Sequence, residues 1–380
     1  MTAGRDRLAI VVAGMLAGVP FHGGATWAVL QYVLGLRRLG HEVLFVEETA
    51  PGDGPLAGSP AGRYFAAVAG RFGLDGTSAL LRSGTTETVG LPHDALRRAA
   101  RRSDLLLNLS GVLRDPALVE SIPVRAYVDL DPAFTQLWAT EGLDVGLAGH
   151  TRHVTVGLEL GAASCAVPTC GLQWITTLPP VVLELWTAAS GVRTDAFTTV
   201  ANWRSYGSVE RDGVPLGQKA HSMRALIDLP RRTGDEFRLA LAIDPAERAD
   251  LRALEANGWR ILDPAGVAGT PDAYRTFVRG SRAELGVAKS GYALSGCGWF
   301  SERSACYLAS GRPVVAQDTG FSRHLPTGRG LLAFSTGDGA VEAVHDVRSR
   351  YAAHARCARS LAEELFDSDR VLGRLLEAVA

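Results

Sequence analysis

Residues 8–48, LAIVVAGMLAGVPFHGGATWAVLQYVLGLRRLGHEVLFVEE, decide the fold. Leu8 to Val12 is a short apolar, β-branched run suited to a strand buried on both faces. Ala25 to Leu39 has helical length, and His41 to Glu47 returns as a strand, so the chain opens on a βαβ unit. Arg5 and Arg7 ahead of the apolar run Leu8 to Gly18 give it the outline of a secretory leader. The glycine loop, helix and second strand that follow favour a buried first strand that stays in the mature protein.

The same alternation continues outward from that unit. Helical patterns at Ala61 to Phe72 and Asp94 to Arg102 are interleaved with strands at Leu105 to Leu109, Arg125 to Leu130 and Val154 to Leu158. It restarts at FTTVANW (197–203) and runs through helix His221 to Ile227, strand FRLALAI (237–243), helix Ala246 to Asn257 and strand WRIL (259–262). Helix Asp272 to Val278, strand Leu285 to Ala288, a helix from Ser301 to Ser310 and strand PVVAQ (313–317) complete it. A length of 380 residues exceeds what one core usually supports. The expectation is therefore two Rossmann-like, doubly wound parallel-sheet α/β domains facing a cleft, with limits at 1–192 and 193–360. A C-terminal helix over 361–380 is expected to pack back toward the first domain.

Composition excludes some function classes. With 39 basic and 40 acidic residues the chain has no global field for nucleic acid or an anionic membrane, so phosphate must be met locally. Five cysteines at spacings that fit no zinc pattern point to ordinary thiols in a reducing, cytoplasmic setting, and no acidic cluster suggests a metal. No run approaches the length of a spanning helix.

In open parallel sheets, ligands sit beyond the carboxyl ends of strands. The first such loop here is GVPFHGG (18–24). Gly23 and Gly24, just before a helix, let backbone approach a ligand and offer free N–H groups to phosphate, or else simply form a tight turn. Neither G-x-G-x-x-G nor G-x-S-x-G occurs at this loop, which weakens dehydrogenase and serine hydrolase readings.

HGGATWAVLQYVLGLRRLGHEVLFVEE resembles the opening of GT-B glycosyltransferases of the glycogen-synthase-like (retaining, family four) group. TTVANWR with GQKAHSMRALIDLP, and AELGVAKSGY with ERSACYLASGRPVVAQDTG, resemble that group's donor-binding half. The resemblance implies a hexosyltransferase-like enzyme that takes a nucleotide-diphosphate sugar as co-substrate, needs neither metal nor cofactor, and transfers to an unidentified small-molecule or glycan acceptor. It also implies that Arg204 and Lys219 neutralise the donor diphosphate, with Gly23 and Gly24 approaching from the other domain.

The group often carries two glutamates eight positions apart; counted back from Gly311 these fall on Gly298 and Cys306, and neither is acidic. Glu302 is the nearby carboxylate, suited to ribose hydroxyls or simply favourable in a first helical turn. Ser301 and Arg303 share that helix start, where phosphate could rest. Asp318, Thr319 and Gly320 follow a buried strand where sugar hydroxyls, or only a turn, would be found. On the acceptor side His22, Asp129 and Asp131 are the candidate catalytic groups, His22 for its imidazole and the aspartates for ending the strand AYVDLDP (126–132). A base among them favours inversion; assistance by the leaving phosphate favours retention. A sugar-nucleotide epimerase or a non-catalytic nucleotide-binding subunit on the same scaffold stays open as an alternative.

Overall fold

A strand such as Ala9–Ala13 (β1), apolar at every position, is stable only with neighbours on both sides and helices on both faces, and that is how it sits. The computed structural model describes residues 7–211 and 213–380; Arg5 lies outside them. β1 is flanked by Glu42–Thr49 (β2) and Leu105–Leu109 (β5). Ser78–Arg82 (β3) and Thr88–Gly90 (β4) extend the sheet on one side; Val124–Asp129 (β6), Arg152–Thr155 (β7) and Trp174–Thr176 (β8) extend it on the other. The order is β4-β3-β2-β1-β5-β6-β7-β8, parallel throughout except for the β3–β4 edge hairpin.

The second sheet is wound the same way. Thr194–Asn202 (β9) lies at its centre, and a hairpin of Val209–Arg211 (β10) and Val214–Leu216 (β11) projects from the loop after it. Phe237–Ala242 (β12), Trp259–Leu262 (β13), Ser281–Gly286 (β14), Val314–Gln317 (β15) and Leu331–Phe334 (β16) complete a parallel sheet of order β13-β12-β9-β14-β15-β16. Each sheet therefore reverses direction once, between β1 and β5 and between β9 and β14. Such reversals leave a crevice beyond the carboxyl ends of the two strands.

The strand expected at Leu285 to Ala288 begins four residues earlier, at Ser281, directly after the helix Pro271–Gly280. Arg282 and Glu284 disguise it as loop. Glu284 is fully buried, and its charge is met by Arg303 at 2.5 Å.

The two halves are joined by shared core rather than by a bare linker. Trp27, on the helix Gly23–Arg38, packs edge-on against Trp186 and Phe72, and its indole N–H donates to the Pro271 carbonyl at 2.8 Å. One continuous apolar cluster contains Trp27, Trp186, Tyr274, Phe300 and Phe366. The last helix, Ser368–Val379, crosses back onto Gly23–Arg38, where Leu372 and Ser368 close over Gly35 and Arg38 meets Asp369 at 3.0 Å.

At the end of β6, Asp129 is a buried hub. It accepts from the Asp131 N–H (3.0 Å) and the hydroxyls of Thr135 (2.8 Å) and Thr155 (2.9 Å), and from the amide of Gln136 (2.8 Å). Removing the acceptor strands several buried donors, each costing about 1–3 kcal/mol when unpaired. Asp129→Ala should therefore lower unfolding free energy by roughly 3 kcal/mol, and Asp129→Asn by clearly less. Urea denaturation of both variants checks this; a neutral Ala variant would refute the hub assignment.

Candidate active site in the cleft between the sheets

The carboxyl ends of both sheets face one another across a cleft of about 640 Å³. Its first wall is the loop from β1 into the helix Gly23–Arg38. That loop is fixed by Glu47 at the end of β2, which accepts from the N–H groups of Leu16 (3.0 Å), Ala17 (2.9 Å) and Gly18 (2.5 Å). Burial pushes the Glu47 carboxyl up, against these three donors. The first amide to find an intrahelical acceptor is Thr26, on the His22 carbonyl at 3.0 Å, and no acidic residue occupies the first turn. The earlier amides, at Gly23, Gly24 and Ala25, bring partial positive charge to the cleft.

Both glycines are also required by the other half. A Cβ on Gly23 would lie 2.3 Å from the Thr270 carbonyl oxygen, and one on Gly24 would lie 2.9 Å from the Tyr274 ring. The close approach of the two halves thus depends on the pair.

Three cations form the second wall. Lys219 opens the helix Lys219–Arg224, is 9% exposed and donates to the Val287 carbonyl. Arg303, in the first turn of the helix Glu302–Ala309, bonds Glu284 at 2.5 Å and the Val200 carbonyl at 3.0 Å. Lys289, just after β14, lies 3.2 Å from Asp131 and 4.1 Å from the centre of the Tyr206 ring, with Phe134 and Tyr292 also around it. Burial pushes the Lys219 ammonium well down, and repulsion from Arg303 and Lys289 pushes it further. Burial lowers Lys289 as well, opposed by Asp131. An anion placed among these groups would relieve the repulsion.

Of the residues singled out in the sequence, His22, Gly23, Gly24, Asp131, Lys219, Ser301, Glu302 and Arg303 line this cleft. His22 is exposed on its wall; Ser301 caps the helix after it by accepting from the Arg303 N–H at 3.2 Å. Asp131 is already engaged by Lys289, Tyr292 and the Tyr206 hydroxyl, the last at 2.6 Å.

The remaining expectations need correction. Arg204 is not part of the lining and is paired with Glu247; the β10–β11 hairpin separates it from Lys219 in the chain. Asp129 has no free oxygen facing the cleft, because both are saturated in the hub. Asp318 is spent on a turn, accepting from the Gly320 N–H (2.9 Å) and from the Ser322 N–H and hydroxyl. Thr319 is buried and reaches the site indirectly, donating at 2.6 Å to the carbonyl of Trp299, which does line the cleft. Gly320 has φ 100° and sits against the Gly296 carbonyl, a turn position. The positions where glutamates were sought are structural too: a Cβ on Gly298 would lie 2.6 Å from the Glu159 nitrogen, and Cys306 is buried 3.6 Å from the Gln31 amide.

Sequence reasoning missed Lys289 and Glu47. For Lys289 the signal was a lone lysine directly after a buried strand, where ligands meet such sheets; for Glu47 it was an acid inside the apolar run EVLFVEE.

No protein-family model matches the sequence, and no curated protein matches it. Solved structures do match by shape. An alpha-glucosyltransferase solved with UDP-glucose and DNA containing an abasic site is 13% identical, with a TM-score of 0.60 over 98% of this chain and 99% of that one. AviGT4, a glycosyltransferase involved in avilamycin A biosynthesis, is 15% identical (TM-score 0.55, covering 98% and 97%). Sucrose-phosphate synthase from Thermosynechococcus elongatus is 12% identical (TM-score 0.56, covering 98% and 100%). With these neighbours and the two sheet orders, the chain has the GT-B fold: two Rossmann-like sheets whose carboxyl ends share one cleft.

Proposed function

We propose that the chain is a glycosyltransferase that binds a nucleotide-diphosphate sugar in this cleft and transfers the sugar to a hydroxyl of an acceptor. The observation that carries the reading is the convergence of Lys219, Arg303 and Lys289 on a helix start without an acidic first turn. That arrangement matches the charge of a diphosphate. The alpha-glucosyltransferase neighbour, solved with UDP-glucose, supports a uridine donor as the first to test. Glu302, half-buried on the lining, is assigned to donor hydroxyls. Because the chain supplies its own cations, the reaction we propose runs without a metal ion: they stabilise the charge that develops on the leaving diphosphate.

We further propose retention. Asp129 and Asp131 are occupied, so the proton of the acceptor hydroxyl goes to the departing phosphate oxygen on the same face. The C1–phosphate bond breaks as the C1–acceptor bond forms. Transfer with an inverted anomer, detected by proton NMR of fresh product, would instead assign His22 as a general base. Retention predicts that the first anomer observed keeps the donor configuration.

The charge argument has its own test. Among UDP, GDP, dTDP and ADP, the ligand giving the largest rise in melting temperature is carried into calorimetry with EDTA present. Lys219→Met should weaken this diphosphate by about 1.5–3 kcal/mol, the loss of a charge-assisted hydrogen bond, and the bare nucleoside hardly at all. Since the free-state Lys219 is held well down and a bound anion raises it, binding should take up protons. Affinity is then greatest below the free-state pKa of Lys219 and declines as pH rises through it. Equal weakening of nucleoside and diphosphate, or binding heats independent of buffer ionisation, would contradict the assignment.

A further inference from the structure

Behind the helix-start wall a second pocket of about 240 Å³ runs into the first half of the chain. It is continuous with the cleft, sharing Ala25, Ser110, Leu130 and Glu302. Deeper in, its lining turns apolar, with Ala28, Val29, Leu109, Val112, Pro179 and Phe300. One polar atom there lacks a partner. Tyr32 is 2% exposed, and its hydroxyl makes no hydrogen bond among the described residues. Gln31, the other polar side chain on this stretch of helix, is used at both ends, by Cys306 (3.6 Å) and by the Val182 N–H (2.8 Å). Buried polar groups are rarely left unmet, and an orphan hydroxyl on a residue that lines a mostly apolar pocket marks the place of a ligand's polar atom.

We propose that this pocket holds the acceptor, and that the acceptor is a small, largely apolar molecule with a reacting hydroxyl and one further polar substituent, no larger than the pocket of about 240 Å³. The inference rests on the glycosyltransferase reading above and adds the acceptor's chemical class. The apolar body fills the inner pocket with one polar substituent against Tyr32. The reacting hydroxyl lies at the shared rim near Ser110 and Glu302. Its oxygen bonds to C1 of the donor sugar, the C1–phosphate bond breaks, the diphosphate departs with the electron pair and the hydroxyl proton passes to it. Burial and the nearby Glu302 charge keep the Tyr32 phenol protonated, able to donate. A nucleic-acid acceptor fits less well, since no lysine or arginine among the described residues lines the inner pocket to meet a phosphate backbone.

The probe is naphthalene-2,6-diol, which is small enough for the pocket and carries one hydroxyl for Tyr32 and one for the rim. Binding is followed by its fluorescence, with the tightest nucleoside diphosphate titrated separately on each protein. The wild type should bind naphthalene-2,6-diol, and with UDP-glucose present should form its monoglycoside. Ala28→Phe, which fills the pocket, should abolish probe binding. Tyr32→Phe removes only an unpartnered oxygen, so it should fold normally and weaken the probe about fivefold or more. Both variants should bind the nucleoside diphosphate as the wild type does. Failure of naphthalene-2,6-diol to bind, or binding unchanged in either variant, would overturn the acceptor assignment while leaving the donor reading intact. Loss of nucleoside diphosphate binding by the wild type would instead remove the donor reading itself.

Discussion

The structure depends on how closely one helix start approaches the other half of the chain. Gly23 and Gly24 place the beginning of Gly23–Arg38 directly on the backbone at Ala268–Thr270 and on the ring of Tyr274, with no room for a side chain between. Trp27, one turn on, then reaches the Pro271 carbonyl and anchors the contact in the shared core. Moving that helix back by the width of one methyl group would part the two halves. The reversal points of the two sheets face each other because these residues permit it.

Facing reversal points explain the electrostatics. Each sheet alone would offer a crevice; together they set a helix start opposite Lys219, Lys289 and Arg303. The cations are not free-standing. Arg303 is braced by the buried Glu284, and Lys289 is held between Asp131 and three aromatic rings. Lys219 is the one of the three without a carboxylate contact among the described residues, and burial first, then its cationic neighbours, depress its pKa. A bound diphosphate would be its missing partner. Preorganised charge of this kind needs little rearrangement when a leaving group turns negative.

Much of the architecture was legible because doubly buried strands are written as apolar runs: β5 and β13 fall on the residues the pattern indicates, and β1, β2 and β12 within a residue or two of them. β3 and β16 are absent from that reading although they are no shorter than β5 and β13, and β14 starts ahead of the expected run because Arg282 and Glu284 break its apolar pattern. The cleft lining was legible where backbone chemistry points to it, at Gly23, Gly24 and the helix start of Ser301–Arg303, and through the family resemblance at Lys219. It was not legible where a residue's role depends on its partners. Asp129 and Asp131 stand two apart at the end of one strand, yet one is sealed in a hub and the other lines the cleft. Arg204 and Lys289 differ in the same way. Nothing local in the sequence says which cation meets Glu247 on the outside and which meets the cleft.

A ligand held by both halves at once would leave its mark on each, which hydrogen–deuterium exchange with and without the tightest nucleoside diphosphate can read. Exchange should slow on binding at residues 21–26 of the first half together with residues 217–220 and 300–304 of the second. Protection confined to one half, with the other unchanged at saturating ligand, would contradict it.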